Sequence, residues 1–448
     1  MRNIIIKIQN AISDTEFEGK TFLVGGYVRD SLLKIPCIDL DITVELPNGG
    51  AKLAAFLYEN KISGKPVLYE NFGTSYVKID GCKVELLMTR KESYREKDRK
   101  PDVEPATLSE DIERRDFTIN TLAIDISTGK LLDITGKGLT DLEKKIIRTV
   151  NEPASVFGED PLRLLRAVRF SQQLHFAIEK QTEEAIIISA DMLNFISWER
   201  KKEELDKMLL LPKPSVAIRK LINLHLMKYI ISELMELEHL EQNRYHHLDA
   251  LNHTLLVLDL TEPVLLHRYA ALLHDIGKKQ CAFTDEQGKI HFHQHEIVSE
   301  TMAKKILSRL TCSHQFTEET AFIIKNHMRF KTAGEQAEII SDKALRRIIL
   351  QAGSRWDALL DVIHADNCAH AEAFSLPEQI TMLKERVKKL NFPKEKQKMP
   401  IDGNIVKSRF SIKEGKKVGE MLEKAEEIWL ENPEISSEEL IKKLEQPK

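Results

Sequence analysis

No stretch of this 448-residue chain is apolar for long enough to span a bilayer, since a spanning helix needs about 20 consecutive apolar residues. Its five cysteines (Cys37, Cys82, Cys281, Cys312 and Cys368) are scattered, with no CxxC pair. That pattern reads as reduced thiols in a cytoplasm. Met1-Arg2-Asn3 leads into a short apolar segment broken by Lys7 and Gln9, so no secretory leader is expected. Internal repeats and low-complexity tracts are lacking, and so is a surplus of positive charge: the formal net charge is −4. A nucleic-acid partner would therefore have to meet local basic patches. Residues 90–100 (RKESYREKDRK) and Arg200-Lys201-Lys202 are two such patches, though a charge run by itself also reads as a solvated face.

What is present is a hydrophobic fraction of 42% and a charged fraction of 30%, the balance of a soluble globular chain. At this length two to four domains are expected. Thr21 to Val24, Ile38 to Val44, Ser75 to Ile79 and Lys83 to Met88 read as strands, separated by turn signals such as Pro47-Asn48-Gly49-Gly50 and Asp80-Gly81. Residues 125–133 read as a hairpin turning at Thr128-Gly129. From about Pro161 onward Leu, Ile, Glu and Lys recur at helical spacing and strand candidates become scarce. The expected fold class is α+β, mostly α: a mixed-sheet head over 1–150, a helical neck over 151–240, a helical domain over 241–372 and a helical tail over 373–448. Proline-marked boundaries fall near 212–214, 377 and 393.

The head carries Gly25-Gly26-Tyr27-Val28-Arg29-Asp30, followed by Asp39-Leu40-Asp41. Alternate side chains of a strand share a face, so Asp39 and Asp41 project together. Paired carboxylates repel unless a cation intervenes, and such oxygens suit Mg²⁺ shared with substrate phosphates. Gly25-Gly26, after Phe22-Leu23-Val24, lets the backbone approach a phosphate, and Arg29 can pair with it. A DxD alone also decorates solvated strand ends. A second block, Glu113-Arg114-Arg115-Asp116-Phe117-Thr118-Ile119-Asn120, supplies charge for a triphosphate and polar groups for a ribose hydroxyl. The third runs from Glu159 to Phe170 and reads as a helix start, with Asp160 as cap and Pro161 in the first turn. Asp160, Arg163 and Arg166 share one face, with Leu162, Leu165 and Val168 facing the core. A carboxylate beside a guanidinium could read a nucleobase edge; a plain helix salt bridge has the same spacing.

In this order, and with Asp133 to Leu142 (DITGKGLTDL) and Trp198-Glu199-Arg200 with Glu203, Glu204 and Leu205, the chain resembles the class II tRNA nucleotidyltransferase and bacterial poly(A) polymerase family, of the DNA polymerase beta-like superfamily. The resemblance is dense from about residue 20 to about 225. It implies a nucleotidyltransferase head in which Asp39 and Asp41 carry two Mg²⁺ ions, and Gly25, Gly26 and Arg29 meet the triphosphate. Arg115, Asp116 and Asn120 would lie near ribose and phosphates, with Arg166 alongside. Asp160 and Arg163 would pair with incoming CTP or ATP, and Glu85 is a candidate third carboxylate. The implied substrate is the tRNA 3′ end. Two departures stand out: Thr121 where the family usually has alanine, and DITGKG for the usual DPFGG. The segment from Thr89 to Asp111, with Arg90, Tyr94, Arg99 and Pro101, is full-length; family members restricted to adding CC have it shortened, so its presence implies a capacity to add the final A. The related activities, poly(A) synthesis and A addition alone, share these motifs. The tail from Glu423 to Lys448 mixes signs and offers no basic stripe.

Further on, Asn252-His253-Thr254, Leu273-His274-Asp275-Ile276-Gly277-Lys278, His295-Glu296, His327 and Ala365-Asp366-Asn367 resemble the HD superfamily of metal-dependent phosphohydrolases. Imidazole and carboxylate ligands suit a divalent transition metal. The resemblance implies His253, His274, Asp275 and Asp366 as ligands, with His295 and His327 as candidates for extra coordination or phosphate. His291, His293, His246 and His247 are expected to be ordinary histidines. A phosphohydrolase with an RNA-binding head is the competing reading of the whole chain.

Overall fold

The computed structural model describes residues 1–37, 39–69, 74–93, 102–243, 245–330, 341–375, 378–390, 399–412 and 415–445. Ile38, Tyr94, Arg99, Pro101, Pro377, Pro393 and most of the basic stretch 90–100 therefore lie outside the described residues. Contacts divide the chain into two compact units, Met1–Glu204 with Arg219–Tyr229, and Leu205–Ile218 with Ile230–Lys448.

In the first unit the main strands are β1 (Thr21–Val24), β2 (Leu40–Val44), β3 (Val67–Tyr69), β4 (Thr74–Ile79), β5 (Cys82–Met88), β6 (Arg90–Ser93), β7 (Asp102–Pro105), β8 (Leu122–Asp125) and β9 (Leu131–Asp133). Seven form one sheet in the order β3-β4-β5-β2-β1-β8-β9, and β6 pairs with β7 as a separate hairpin. Within this sheet only β2 and β5 run parallel, the other neighbours being antiparallel; apart from it, Ile146–Ile147 and Ala177–Ile178 form a short parallel pair. The four residues of β1 are all buried, the continuous apolar pattern of a central strand covered on both faces. Helix α1 (Arg2–Ile12) buries Ile4, Ile8 and Ile12 on one stripe. Helices α2 (Gly26–Leu32), α3 (Gly49–Glu59), α4 (Leu108–Glu113) and α5 (Gly138–Lys144) complete the head. α3 packs on β2, β4 and β5; a Cβ on its Gly50 would stand 2.5 Å from the Leu86 carbonyl oxygen, so glycine permits that approach.

The neck comprises α6 (Pro153–Glu159), α7 (Leu162–Leu174), α8 (Lys180–Ile188), α9 (Trp198–Leu209) and α10 (Pro214–Asn223). Leu162, Leu165 and Val168 of α7 are buried, as their spacing requires. The helix starts one residue later than expected. Pro161 occupies the cap position, and Asp160 satisfies the first turn from one residue upstream, accepting the Leu162 N–H at 3.1 Å.

The second unit is mainly helical: α11 (Ala250–Leu260), α12 (Leu265–Leu273), α13 (Lys278–Cys281), α14 (His295–Arg309), α15 (His314–Asn326), α16 (Asp342–Ala352) and α17 (Trp356–Cys368), then α18 (Gln379–Leu390), α19 (Gly403–Phe410), α20 (Lys416–Glu431) and α21 (Ser437–Glu445). Short strands at Ala282–Thr284 and Ile290–Phe292 form an antiparallel hairpin within it.

Candidate functional site

The register of β1 against β2 places Val24 opposite Asp41, so the chain turns into α2 right beside that carboxylate. The turn residue, Gly25, has φ +67, a conformation costly for any residue with a side chain. A Cβ there would also stand 3.5 Å from Arg115 Nη1 and 3.6 Å from Asp41 Oδ2, filling the space between a cation and an anion. On its other edge β2 puts Asp41 opposite Glu85. Burial and the Glu85 carboxylate push the Asp41 carboxyl up from its ordinary 3.8 to about 6, against the pull of Arg115. Asp39 precedes β2 and is exposed. Two acidic groups whose repulsion is only partly offset by Arg115 and Lys83, with Asp39 open to solvent beside them, fit a hard cation. Protons compete for the same oxygen, so the affinity of this site for a divalent cation should be flat above pH ~6 and fall about tenfold per pH unit below it. A Mg²⁺ titration between pH 5 and 8 checks this.

Around Asp41 lies a cleft of about 430 Å³ lined by Gly25, Gly26, Arg29, Arg115, Asp116, Asn120, Asp160, Arg163 and Arg166, every one expected from the sequence. Asp39 is not part of that lining. Arg114, Leu162, Phe170 and Arg200 are, in addition. A chain of charge-assisted bonds runs along one wall. Arg29 donates to Asn120 Oδ1 (2.8 Å) and to Asp30 (2.7 Å), and Asn120 Nδ2 donates to Asp116 Oδ1 (3.0 Å). Arg166 Nε completes it at Asp116 Oδ2 (2.8 Å). Burial opposes the Asp116 charge, yet Arg166 and Asn120 outweigh it and hold the carboxyl below its usual range. The Phe170 ring lies beneath three guanidinium groups, with the carbons of Arg29, Arg166 and Arg169 at 5.1, 5.2 and 4.1 Å from its centroid. A ring face attracts cations and helps these like charges share one wall.

The base-reading candidates are held differently from the spacing argument. Arg163 donates to Glu159 (2.9 Å) and to the Arg114 carbonyl oxygen (2.6 Å). The second oxygen of Asp160 accepts from Arg200 Nη2 at 2.8 Å. Asp160 and Arg163 thus stand side by side, each steadied by another residue. Arg114 and Arg200 belong to blocks the sequence already singled out, so their charge was the available signal.

In the second unit His253, His274, Asp275 and Asp366 converge as expected, all buried, with His295 and His327 beside them. Asp275 is the centre: Lys278 Nζ lies at 2.6 Å, and the Nε2 atoms of His274, His295, His253 and His327 at 3.1, 3.2, 3.7 and 4.0 Å. Asp366 lies 3.1 Å from His253 Nε2. Burial disfavours the Asp275 charge, but His274 and Lys278 overcome it and keep the carboxyl well below its usual range. Three imidazoles share one device. Nδ1 of His274, His295 and His327 meets the carbonyl oxygen three residues earlier, Ala271, Phe292 and Ile324, at 2.7, 2.9 and 2.6 Å. In a neutral ring, donation from Nδ1 leaves Nε2 as the lone-pair atom, the form in which a metal would take the place of the Nε2 proton, and the Nε2 atoms of His295 and His327 face each other at 3.3 Å. Inward lone pairs, carboxylates and second contacts to carbonyls fit a bound divalent transition metal. His253, His274 and Asp366, and His274, Asp275 and His327, are the two sets of ligand atoms that lie close enough together to share an ion among the described residues. Lys278, not among the expected site residues, is the missed one. His246 was expected to be an ordinary histidine; its ring centroid stands 4.5 Å from that of His253, and burial holds it neutral.

Known proteins share this organisation. A family model described as the poly A polymerase head domain matches residues 21–148. One described as a probable RNA and SrmB-binding site of polymerase A matches 175–237, and an HD domain model matches 244–360. An A-adding tRNA nucleotidyltransferase of Deinococcus radiodurans is 34% identical over 318 residues, covering 68% of each chain. A second A-adding enzyme, from Geobacter sulfurreducens, is 36% identical over 226 residues, and there the match spans only 25% of the relative. A CCA-adding enzyme of Bacillus velezensis is 36% identical over 261 residues, 58% of this chain and 61% of the relative. Among solved structures, the Bacillus stearothermophilus CCA-adding enzyme in complex with CTP matches 99% of this chain and 97% of its own, with a TM-score of 0.71 at 23% identity. A tRNA nucleotidyltransferase complexed with a primer tRNA and an incoming ATP analog covers 84% and 97%, with a TM-score of 0.56 at 23% identity. At such identities these structures speak for the fold.

Proposed function

Because the chain belongs to the tRNA nucleotidyltransferase family of enzymes, we propose that it adds C, C and A to the 3′ end of tRNA from CTP and ATP without a nucleic-acid template. The observation that carries this is the convergence, in one cleft, of Gly25, Asp41, Arg115, Asp116, Asp160 and Arg163 from three separate sequence blocks. The division of labour follows the four parts: head 1–150, nucleotide- and RNA-binding neck 151–240, HD domain 241–372 and tail 373–448.

Asp39 and Asp41 would hold two Mg²⁺ ions, which supply Lewis-acid activation of the tRNA 3′-hydroxyl and neutralise charge on the departing pyrophosphate. The remaining work falls to the protein. Gly25 and Gly26 let the backbone come up to the phosphates, and Arg29 and Arg115 pair with them. Asp116 and Asn120 offer partners to the ribose. Asp160 presents an acceptor and Arg163 a donor, which matches the amino group and neighbouring ring nitrogen that C and A both carry. U and G present the opposite pattern, and a site built for one pattern leaves polar groups unpaired with the other. Asp160→Ala or Arg163→Ala should therefore lower the preference for CTP and ATP over UTP and GTP by about 100-fold. Competition assays with all four triphosphates check this, and unchanged selectivity removes these residues from the role.

The deciding experiment supplies the protein with Mg²⁺, CTP, ATP or both, and tRNA transcripts lacking CCA, ending in C or ending in CC. Completion of CCA on the first, and arrest there, is the expected result. Addition of A only to the CC-ended transcript would make the chain an A-adding enzyme, a reading favoured by the relative that aligns over 68% of both chains. Long A tails on any RNA would make it a poly(A) polymerase. For the second unit we propose metal-dependent phosphoester hydrolysis at the Asp275 cluster, supported by the inward-facing Nε2 atoms. No helix among the described residues is long and apolar enough to cross a membrane; a cytoplasmic location remains part of the proposal.

A further inference from the structure

Two of the arginines that line the cleft, Arg114 and Arg115, share one carboxylate that lies outside it. Asp111, on α4, exposes only 3% of its side chain. Its Oδ1 accepts from Arg114 Nη2 at 2.6 Å and from the backbone N–H of Arg90 at 3.2 Å. Its Oδ2 accepts from Arg115 Nη2 at 3.1 Å. Arg114 and Arg115 both line the cleft, and each is also fixed elsewhere: Arg114 Nε donates to the Arg90 carbonyl (2.8 Å), and Arg115 Nη1 to the Asn120 carbonyl (3.2 Å).

We infer that Asp111 is a positioning residue for triphosphate recognition, presenting Arg114 and Arg115 as an aligned pair of cations; this rests on the nucleotidyl-transfer reading above. Two neighbouring guanidiniums repel, and a single carboxylate bonded to both offsets that repulsion while both continue to line the cleft. Arg115 has a competing attraction nearby. Its Nη1 and the Asp41 carboxylate flank the same point beside Gly25, 3.5 and 3.6 Å from it. Without Asp111, Arg115 is free to swing onto Asp41 and leave the phosphate position. The i−3 and i−4 spacing of Asp111 to the two arginines puts all three on one face of the helix and its first following turn.

The test compares ATP with adenosine, which has the base and ribose but no phosphate, using calorimetry on the full chain in metal-free buffer. Asp111→Asn should weaken ATP binding about tenfold and leave adenosine binding within about twofold, because only the charge-assisted bonds to phosphate are disturbed. In tRNA extension the KM for ATP should rise by about the same tenfold factor, with kcat near that of the native protein. Asp111→Glu, which keeps the charge but shifts the carboxylate by one methylene, should weaken ATP binding about threefold with adenosine again unchanged. If Asp111→Asn does not fold, Asp111→Glu decides. Native ATP affinity in the folded variants overturns the inference, as does equal loss of ATP and adenosine. Failure of the native protein to extend tRNA would instead overturn the reading on which the inference rests.

Discussion

Asp41→Ala should reduce nucleotide addition by at least about 10³-fold while tRNA binding stays within about twofold, because on the proposed two-metal reading the variant would lose a metal ligand and keep the RNA-facing surface. The structure lends this result an internal control. Asp41 titrates near 6 in the fold against an ordinary 3.8, since burial and Glu85 both oppose its charge. A carboxyl raised in this way costs stability when ionised: the cost is full above about pH 6 and gone below about pH 4. Alanine removes that cost, so the melting temperature at pH 7 should hold or rise even as activity disappears. Most inactivating substitutions of buried residues do the reverse. Asp39→Ala should also eliminate addition. Single-nucleotide extension assays and thermal melts check both, and addition persisting in both variants would sink the assignment.

Asp275→Asn should abolish metal retention in the second unit, lowering affinity for a divalent transition metal by more than about 100-fold. The substitution keeps the shape of the side chain and removes the charge on which four imidazoles and Lys278 converge. It also leaves the buried Lys278 ammonium without its carboxylate at 2.6 Å, and breaking a buried pair from one side typically costs about 3–5 kcal/mol. The melting temperature should accordingly fall. Nucleotide addition per folded molecule should remain within about twofold, since the cleft is built from the first unit alone. Metal analysis of the purified protein after incubation with Ni²⁺, Co²⁺ or Zn²⁺ and desalting measures the first effect. Native metal content in the variant would remove Asp275 from the site.

Much of this was legible in the sequence because strands and sharp turns fix side-chain direction locally. Thr21 to Val24 is the buried central strand with the bounds its apolar run suggests, and of the glycine pair after it Gly25 makes the turn and Gly26 opens α2. β4 and β5 begin one residue earlier than the pattern implied. Residues set by partners distant in the chain were harder to read. The spacing of Asp160 and Arg163 suggested a mutual pair, whereas Arg200 holds Asp160 and the Arg114 carbonyl holds Arg163; no local periodicity encodes a bond across 40 positions or more. In the sequence Asp111 stands out only as the end of the segment from Thr89, and what sets it in place is bonding to the Arg90 N–H and to Arg114 and Arg115. The hairpin at 282–292 was overlooked inside a helical stretch, although Asp285 and Gly288 are turn formers and the flanking AFT and IHF runs have strand character. In the HD region the ligand residues were legible as types, but the carbonyl anchors that orient them depend on where each helix ends.

The two departures from the family pattern in the head, Thr121 and the DITGKG segment, meet in space. The hydroxyls of Thr121 and Thr135 lie 3.2 Å apart, and Thr121, fully buried, also donates to the Thr118 carbonyl at 2.6 Å. They therefore form one packed unit. A chimera that swaps either segment with a relative breaks a matched pair, leaving a hydroxyl short of one neighbour on one side or crowding a larger group on the other. Grafts across this family should move both segments together, and lineages that carry one threonine should tend to carry its mate.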